Sequence, residues 1–519
     1  PTFAGGLLTN TNQHVAFNRM MSREASIGID GVYYNPAGVV FMGEGHHLAI
    51  NWQLAYQTRT INNDYKLFTN NVNNPITPRD FKGKAFAPVI PSFQYAYNKG
   101  KWSFQANFAL TGGGGKCTFD DGLGSFEKIV SETAIAACGL AGVVDQTLGN
   151  TLGQQGMEMF TSDQAFGKTG KYSFNSYMHG RQYYYGFSAG AAYKFCDNFS
   201  AFLGVRGVYA LTNYYGYVEN INVGNMPLYK VLDPTKENAA NIELSCDQTG
   251  VGFTPIIGVD YKTGRWNFSA KYEFKTRIRL KNKSVNQTPS IGNLPANLAN
   301  QMTGILTAKY QQAGLPLEQA KQQAENTTNA VLNDPTVGAT MMGLKTQFDQ
   351  KLNKAIGEYE DGKKIAGDIP GYLALGIGYS PVDAVRVNVG FHWFDDKNAT
   401  SYNNRNKELK RGTLEYNAGV EVDVNKKITL STGWQNTNYG LSDEYMDDKS
   451  FVVSSNSAAI GGVYHINKKM DLNVAYFHTF YQHKKTSETV QLAADKSIVY
   501  NSDYTRNNNV FAVGLDINF

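Results

Sequence analysis

The sequence predicts an all-β protein: an antiparallel transmembrane β-barrel of about 14 strands, preceded by an N-terminal segment that is not itself a strand. Three observations predict it. The first is period-two alternation, clearest from Trp266 to Leu280. Trp266, Phe268, Ala270, Tyr272, Phe274, Ile278 and Leu280 fall on one face, and Asn267, Ser269, Lys271, Glu273, Lys275, Arg277 and Arg279 on the other. A strand of that length is unusual in a soluble sheet, where about 5–6 residues is typical. It suits a wall with lipid on one side and a polar lumen on the other. The second is a strict alternation of short and long connections. Tight Gly/Asn/Asp/Lys-rich turns occur at Asn98-Lys99-Gly100-Lys101, Cys196-Asp197-Asn198, Lys262-Thr263-Gly264-Arg265, Pro381-Val382-Asp383, Asn425-Lys426-Lys427 and Asn467-Lys468-Lys469. The third is composition. The chain has 13% aromatic residues and a mean hydropathy of −0.38, and no apolar run reaches the roughly 18–20 residues of a membrane helix.

In chain order, residues 1–45 do not alternate and mix Arg19, Arg23 and Glu24 with Phe17, Met20 and Met21. Ahead of a barrel too wide to be filled by its own side chains, such a segment is expected to sit in the lumen as a plug. Residues 46–519 are then the barrel. The expected strands are 46–60, 84–98, 102–113, 182–195, 199–217, 248–263, 265–281, 370–381, 384–395, 412–424, 427–438, 454–467, 469–482 and 508–519. The long external connections fall near 61–83, 114–181, 218–247, 282–369, 396–411, 439–453 and 483–507. The last strand alternates through Phe511, Val513, Leu515, Ile517 and a terminal Phe519. Trp52, Trp102, Trp266, Trp393 and Trp434 are placed for interfacial girdles. The chain starts at Pro1 with no signal peptide ahead of it and is taken as the mature form of an exported protein.

Two long loops, 114–181 and 282–369, hold helical patterns over 117–165 and 294–357. The second is rich in apolar residues, including Met302, Met341 and Met342. Two readings stay open: the helices pack together as a lid, or they present an apolar groove at the surface, for which adaptable methionines are suited.

Charge and chemistry exclude other classes. A formal charge of +4 gives no basis for nucleic-acid binding. No His/Ser pairing supports a hydrolase, and no cofactor or metal is expected. His46-His47 are neighbours on a strand and point to opposite faces. Asp443, Glu444, Asp447 and Asp448 read as a solvated anionic loop rather than a calcium site. Cys117 and Cys138 share an external loop and are candidates for a disulfide, with Cys246 a rival partner.

The whole layout resembles the outer-membrane long-chain fatty-acid transporter family, the FadL type. The features that carry the resemblance are the N-terminal segment with Asn35-Pro36-Ala37, the strand count, the two long loops after the third and seventh strands, the stretch Gly252 to Lys281, and the C-terminal hairpins with Tyr416-Asn417-Ala418-Gly419-Val420 and Gly433-Trp434. The resemblance implies passive uptake of a hydrophobic small molecule or lipid by a non-enzymatic monomer embedded in outer-membrane lipids. Ligand would be captured between the long loops, displace the N-terminal segment acting as a hatch, and leave sideways where the third strand kinks. It assigns Phe3, Leu7 and Leu8 to the hatch tip, Asn35, Pro36, Ala37 and Gly38 to the turn into the wall, and Gly112, Gly113, Gly114 and Gly115 to the lateral gate. The luminal candidates for holding a headgroup are Arg206, Lys271, Lys275, Arg277 and Arg386, with Glu273, Glu415 and Glu421 as counter-charges. Alternative roles are a secretion-machinery partner or cargo dock, and a general porin.

Overall fold

The computed structural model describes residues 7–154, 156–289, 291–493 and 496–519. Its wall is a closed antiparallel barrel of 14 strands. They are β1 (Gly45–Tyr65), β2 (Arg79–Lys99), β3 (Trp102–Phe119), β4 (Tyr172–Cys196), β5 (Phe199–Val223), β6 (Ile242–Thr263), β7 in two pieces (Trp266–Glu273 and Arg279–Gln287), β8 (Tyr372–Val382), β9 (Val385–Phe394), β10 (Thr413–Asn425), β11 (Ile428–Asn438), β12 (Ser455–Asn467), β13 (Met470–Tyr481) and β14 (Lys496–Asn518). Pairing of β14 with β1 from Asn518↔His47 to Tyr500↔Tyr65 closes the cylinder. The tight turns lie at the end where β1 begins and β14 ends, and there the His46 amide donates to the Phe519 carbonyl at 2.8 Å.

Alternation places large apolar side chains outside. Ile50, Trp52 and Tyr56 of β1 and Phe253, Ile257 and Val259 of β6 are exposed, while their neighbours Asn51, Gln53, Thr254 and Asp260 are buried. An apolar outer belt around a polar interior is the reverse of a soluble core and fits a lipid-facing wall.

The strands run further on the external side than the hydrophobic pattern predicts. β4 and β5 each span 25 residues, and the expected loop at 483–507 is a hairpin in which Lys484–Ala493 pairs with the first half of β14. Beyond the membrane both faces of a strand meet water or loops. The backbone ladder continues there after the apolar period has faded.

β7 needs a larger correction. Residues 274–278 leave the ladder with β6: Thr276 exchanges hydrogen bonds of 3.0 Å with Ile369, and the Gly367 amide donates to Ile278 at 3.2 Å. The detour shifts parity. Ile278 and Leu280 become buried in the lumen, whereas Arg277 and Arg279 turn outward.

The described part of the N-terminal segment fills the lower lumen. It holds α1 (Val15–Arg19) and α2 (Gly31–Tyr34). Phe17, Met20, Met21, Tyr33 and Tyr34 are each at most 2% exposed. At about 1.5–3 kcal/mol for each fully buried large apolar side chain, they anchor the segment against luminal strands.

Above the wall, α3 (Gly124–Leu152), α4 (Tyr229–Leu232), α5 (Leu294–Gln312), α6 (Leu317–Leu332) and α7 (Pro335–Ile356) share one apolar cluster. Val144, Leu148, Val231, Leu298, Met302 and Val331 are among its members.

Candidate functional site

Among the described residues, the longest break in the wall's hydrogen-bond ladder lies between β2 and β3. Pairing holds from Lys99↔Trp102 to Phe93↔Phe108 and resumes at Ala85↔Cys117. Two sequence features cause it. Pro88 and Pro91 carry no N–H to offer across the ladder. On β3, Gly113, Gly114 and Gly115 take φ of 72°, 139° and 111°, a run that side-chain-bearing residues rarely adopt. β3 stays paired with β4 through bulges at these glycines, so it bends away from β2. The carbonyls it exposes are met by the N-terminal segment. The Asn10 amide donates to Thr111 at 2.9 Å, and the Asn10 carboxamide donates to Gly113 at 2.7 Å and Leu110 at 3.3 Å. Thr9 forms a bridge with Gly112, where an added Cβ would lie 2.8 Å from the Leu8 carbonyl oxygen. The break is lined on its inner side by Ala87, Ile90 and Leu110, packed with Phe17 and Tyr34.

Above this point the lumen holds a cavity of about 170 Å³. Leu7 and Leu8, Arg59, Gln182, Asp368, Asp396 and Phe451 are among its lining residues. Leu8 packs on an apolar luminal strip of Tyr184, Val208, Ala210, Ile278, Leu280, Ile365 and Ile369. The β7 detour builds that strip, since without the parity shift two arginines would stand where Ile278 and Leu280 do. Both cavity carboxylates are engaged. Asp368 accepts from Arg279 at 2.7 Å and the Ile278 amide at 3.1 Å, and Asp396 accepts from the Thr413 amide at 2.9 Å and the Leu7 amide at 3.4 Å. Arg59 is 5% exposed. Its Nε donates to Gln57 at 3.3 Å, and no carboxylate lies within ion-pair distance among the described residues. Arg506 stands directly opposite it on β14, so the luminal face of the wall carries two adjacent cations there.

Two apolar pockets lie above the cavity. The outer one runs between α3 and α5–α7, lined by Val130, Ala141, Phe166, Leu232, Leu294 and Phe348 among others. The inner one shares Ile129, Val130 and Ile242 with it and reaches Met178, Tyr214 and Tyr359. Tyr214 accepts a hydrogen bond from Gln182, which lines the luminal cavity. The helices therefore pack on one another and also enclose an apolar groove.

Burial in the loop between β9 and β10 pushes the Asp396 carboxyl up to about 6 from 3.8. Because the folded value lies above the unfolded one, protonation favours the folded loop. Its contribution is complete below pH 3.8 and is lost as pH rises through about 6. Hydrogen-exchange protection at the Thr413 amide is expected to fall between pH 4 and pH 7 in the wild type and to stay level in Asp396→Asn.

The residues expected from sequence sort as follows. Arg206 is luminal but forms a bidentate pair with Glu273 at 2.6 and 3.0 Å. Lys271 donates to Glu273 at 2.9 Å and to the Tyr33 carbonyl at 2.6 Å. Both are consumed by the wall and the N-terminal segment. Arg386 bridges Glu421 and Asp423 near the tight-turn end. Arg277 is not luminal, because the β7 detour turns it outward, and Lys275 is drawn away to the Asn398 carbonyl at 3.1 Å. Leu7 and Leu8 line the cavity; Phe3 lies outside the described residues. In the turn, Asn35 donates to Asp260 at 2.6 Å, and the Pro36 and Ala37 carbonyls accept from Gln105 and Ser200, each at 2.7 Å. At Gly38 a Cβ would collide with the Asn35 carboxamide. Cys117 and Cys138 are free thiols: Cys117 is buried on β3 and Cys138 sits on α3 beside the Phe166 carbonyl. The β3 extension carries Cys117 into the wall and away from the loop that was expected to hold both.

No protein-family model matches the sequence, and no curated protein matches it. Among solved structures, a FadL homologue of Pseudomonas aeruginosa matches with a TM-score of 0.59 and 13% identity, covering 99% of this chain and 100% of that one. The toluene transporter TodX of P. putida matches with a TM-score of 0.49 and 11% identity over 95% and 94% of the two chains. The toluene transporter TbuX of Ralstonia pickettii gives 0.47 and 13% over the same shares. At 13% identity the first of these likenesses is one of fold, and it extends from end to end: this chain is a fourteen-stranded barrel of the FadL type.

Proposed function

We propose that this protein is an outer-membrane transporter for passive uptake of hydrophobic compounds, with long-chain fatty acids as its ligands. The observation that carries the reading is the β2–β3 break, stoppered from inside by Thr9 and Asn10. A break in a barrel wall leaves backbone groups without partners in a medium that supplies none, and here a separate stretch of chain satisfies them. A ligand that takes the place of Leu7 and Leu8 withdraws that stretch and leaves an apolar passage between Ala87, Ile90 and Leu110. The route begins at the groove between α3 and α5–α7, descends through the pocket at Met178 and Tyr359, enters the cavity and ends in the membrane. No solvated pore is needed, and the N-terminal segment would obstruct one. In this reading the role of the barrel is non-enzymatic.

Ala87→Phe tests the exit. Ala87 lies beside Gly115, 3.4 Å from where a Cβ there would be, so a phenyl ring at 87 fills the opening from β2. Cells carrying the variant should lose most fatty-acid uptake, while the purified barrel folds and binds fatty acid as before. Wild-type uptake would remove the lateral exit from the mechanism.

A further inference from the structure

On the outside of the wall, directly above the β2–β3 break, three cations stand together. On β2 the exposed side chains pass from Phe93 and Phe86 to Lys84, and on β4 the outward-facing residues pass from Phe187, Tyr185 and Tyr183 to Arg181. Lys116, just past the glycine run of β3, lies directly opposite Arg181. Lys84, opposite Thr118, is its diagonal neighbour. Like charges placed opposite each other on adjacent strands destabilise a sheet, yet among the described residues none of the three has a carboxylate within ion-pair distance. The acid further along β2, Asp80, is taken by Lys82 at 3.3 Å and Asn62 at 2.7 Å. The Arg181 Nε is buried without a hydrogen-bond partner, and its guanidinium lies 6.0 Å from the centre of the Tyr183 ring. Thr58 pairs across from Lys84 and His179 across from Thr118, which adds neutral hydrogen-bonding groups to the rim of the patch. Cations at the upper edge of an apolar belt, ringed by hydroxyl and imidazole groups, form the complement of a phosphorylated sugar whose acyl chains point down the wall.

We propose that Lys84, Lys116 and Arg181 bind the phosphate of an outer-leaflet glycolipid, whose chains lie against Phe86 and Phe187 beside the lateral opening. The bound lipid fixes the height of the opening in the bilayer. The proposal rests on the barrel standing in an outer membrane and is independent of what the barrel carries.

The test is titration of the full-length protein in detergent micelles with bisphosphorylated lipid A. A juxtamembrane cation is worth about fivefold in binding, so the triple variant Lys84→Gln, Lys116→Gln, Arg181→Gln should lose on the order of a hundredfold in affinity. Wild-type protein should bind dephosphorylated lipid A no better than the triple variant does. Retention of the heat-dependent gel shift shows that the variant barrel is folded; if the triple variant lacks it, Lys116→Gln, with about a fivefold loss, carries the same comparison. Unchanged affinity in a folded variant overturns the proposal. So does equal binding of the two lipid A forms, displacement by millimolar inorganic phosphate, or phosphatidylglycerol binding as tightly. Fatty-acid binding measured on the same samples reports the transport reading separately, since failure of one readout leaves the other intact.

Discussion

Glu421→Ala is expected to unseat the N-terminal segment and raise the single-channel conductance of the reconstituted barrel, with the barrel itself still folded. Glu421 is the point where the segment is pinned to the wall. One of its oxygens receives Arg19 and lies 3.6 Å from Arg23, and the other accepts from Arg386 at 2.7 Å. Arg19 and Arg23 are 5% and 6% exposed. Arg23 keeps Asp30 as a bidentate partner at 2.7 and 3.1 Å, and Arg386 keeps Asp423. Among the described residues, Arg19 keeps only Asn473 at 3.1 Å and Ser431 at 3.0 Å. Removing one partner of a buried pair costs about 3–5 kcal/mol, because the other charge stays desolvated. Moving the segment out into water relieves that cost, so the variant gains what the wild type lacks, a reason to open. Arg386→Gln is the control: its site is more exposed and Asp423 remains solvated, so conductance should stay near wild type. A Glu421→Ala barrel with wild-type conductance would show that apolar burial alone holds the segment. A second anchor, Glu24–His392–Glu415, with contacts of 2.7 and 2.8 Å among side chains at most 1% exposed, remains in the variant and sets an upper limit on how far the segment moves.

The wall was legible because lipid on one side and a polar lumen on the other impose a two-residue period, and tight turns interrupt it at regular intervals. The same period misled at β7. Trp266 to Tyr272 and Ile278 to Leu280 keep a common parity in sequence, but the detour at 274–278 inserts a change of face that no side-chain pattern records. Arg277 followed from that error. The break at β3 was legible from Gly112–Gly115, while its second cause, Pro88 and Pro91 on β2, has meaning only once β2 and β3 are known to be partners. Charged luminal residues were visible as a set, but which of them are spent depends on the N-terminal segment. Glu273, on the same face of β7 as Lys271, was visible as a counter-charge to it and to Arg206, but nothing local to β5 or β7 announces the Tyr33 carbonyl that also holds Lys271. Arg59 had a signal. Leu48, Ile50, Trp52, Leu54 and Tyr56 set the outward parity of β1, which makes position 59 luminal. What the sequence could not show is that no carboxylate among the described residues comes within ion-pair distance of it.

That isolation is the basis for the second large effect. Arg59→Gln is expected to weaken binding of a long-chain fatty-acid anion by roughly tenfold to a hundredfold, and to leave the matching fatty alcohol nearly unaffected. A hydrogen bond between two ionised groups is worth about 1.5–3 kcal/mol, which converts to that range. Most luminal cations here cannot supply it, because a carboxylate of the protein already occupies them. Arg59 can: it lines the cavity beside Leu7 and Leu8, and among the described residues its one side-chain acceptor is the Gln57 carboxamide. Gln57 also accepts from Arg506 at 2.8 Å, so Arg59 shares that one neutral oxygen, which does not compensate its charge fully. A carboxylate arriving there pairs with the Arg59 guanidinium, while its chain runs along Tyr184, Ile278 and Leu280 where Leu8 packs. The cavity of about 170 Å³ holds a headgroup and a few methylenes, so a longer chain enters only by taking space from the N-terminal tip. In the proposed transport cycle, headgroup binding and tip release are then one event. The comparison of acid with alcohol isolates the charge. Equal losses for both ligands in Arg59→Gln would mean that the side chain only shapes the cavity, and no loss for either would place the headgroup elsewhere.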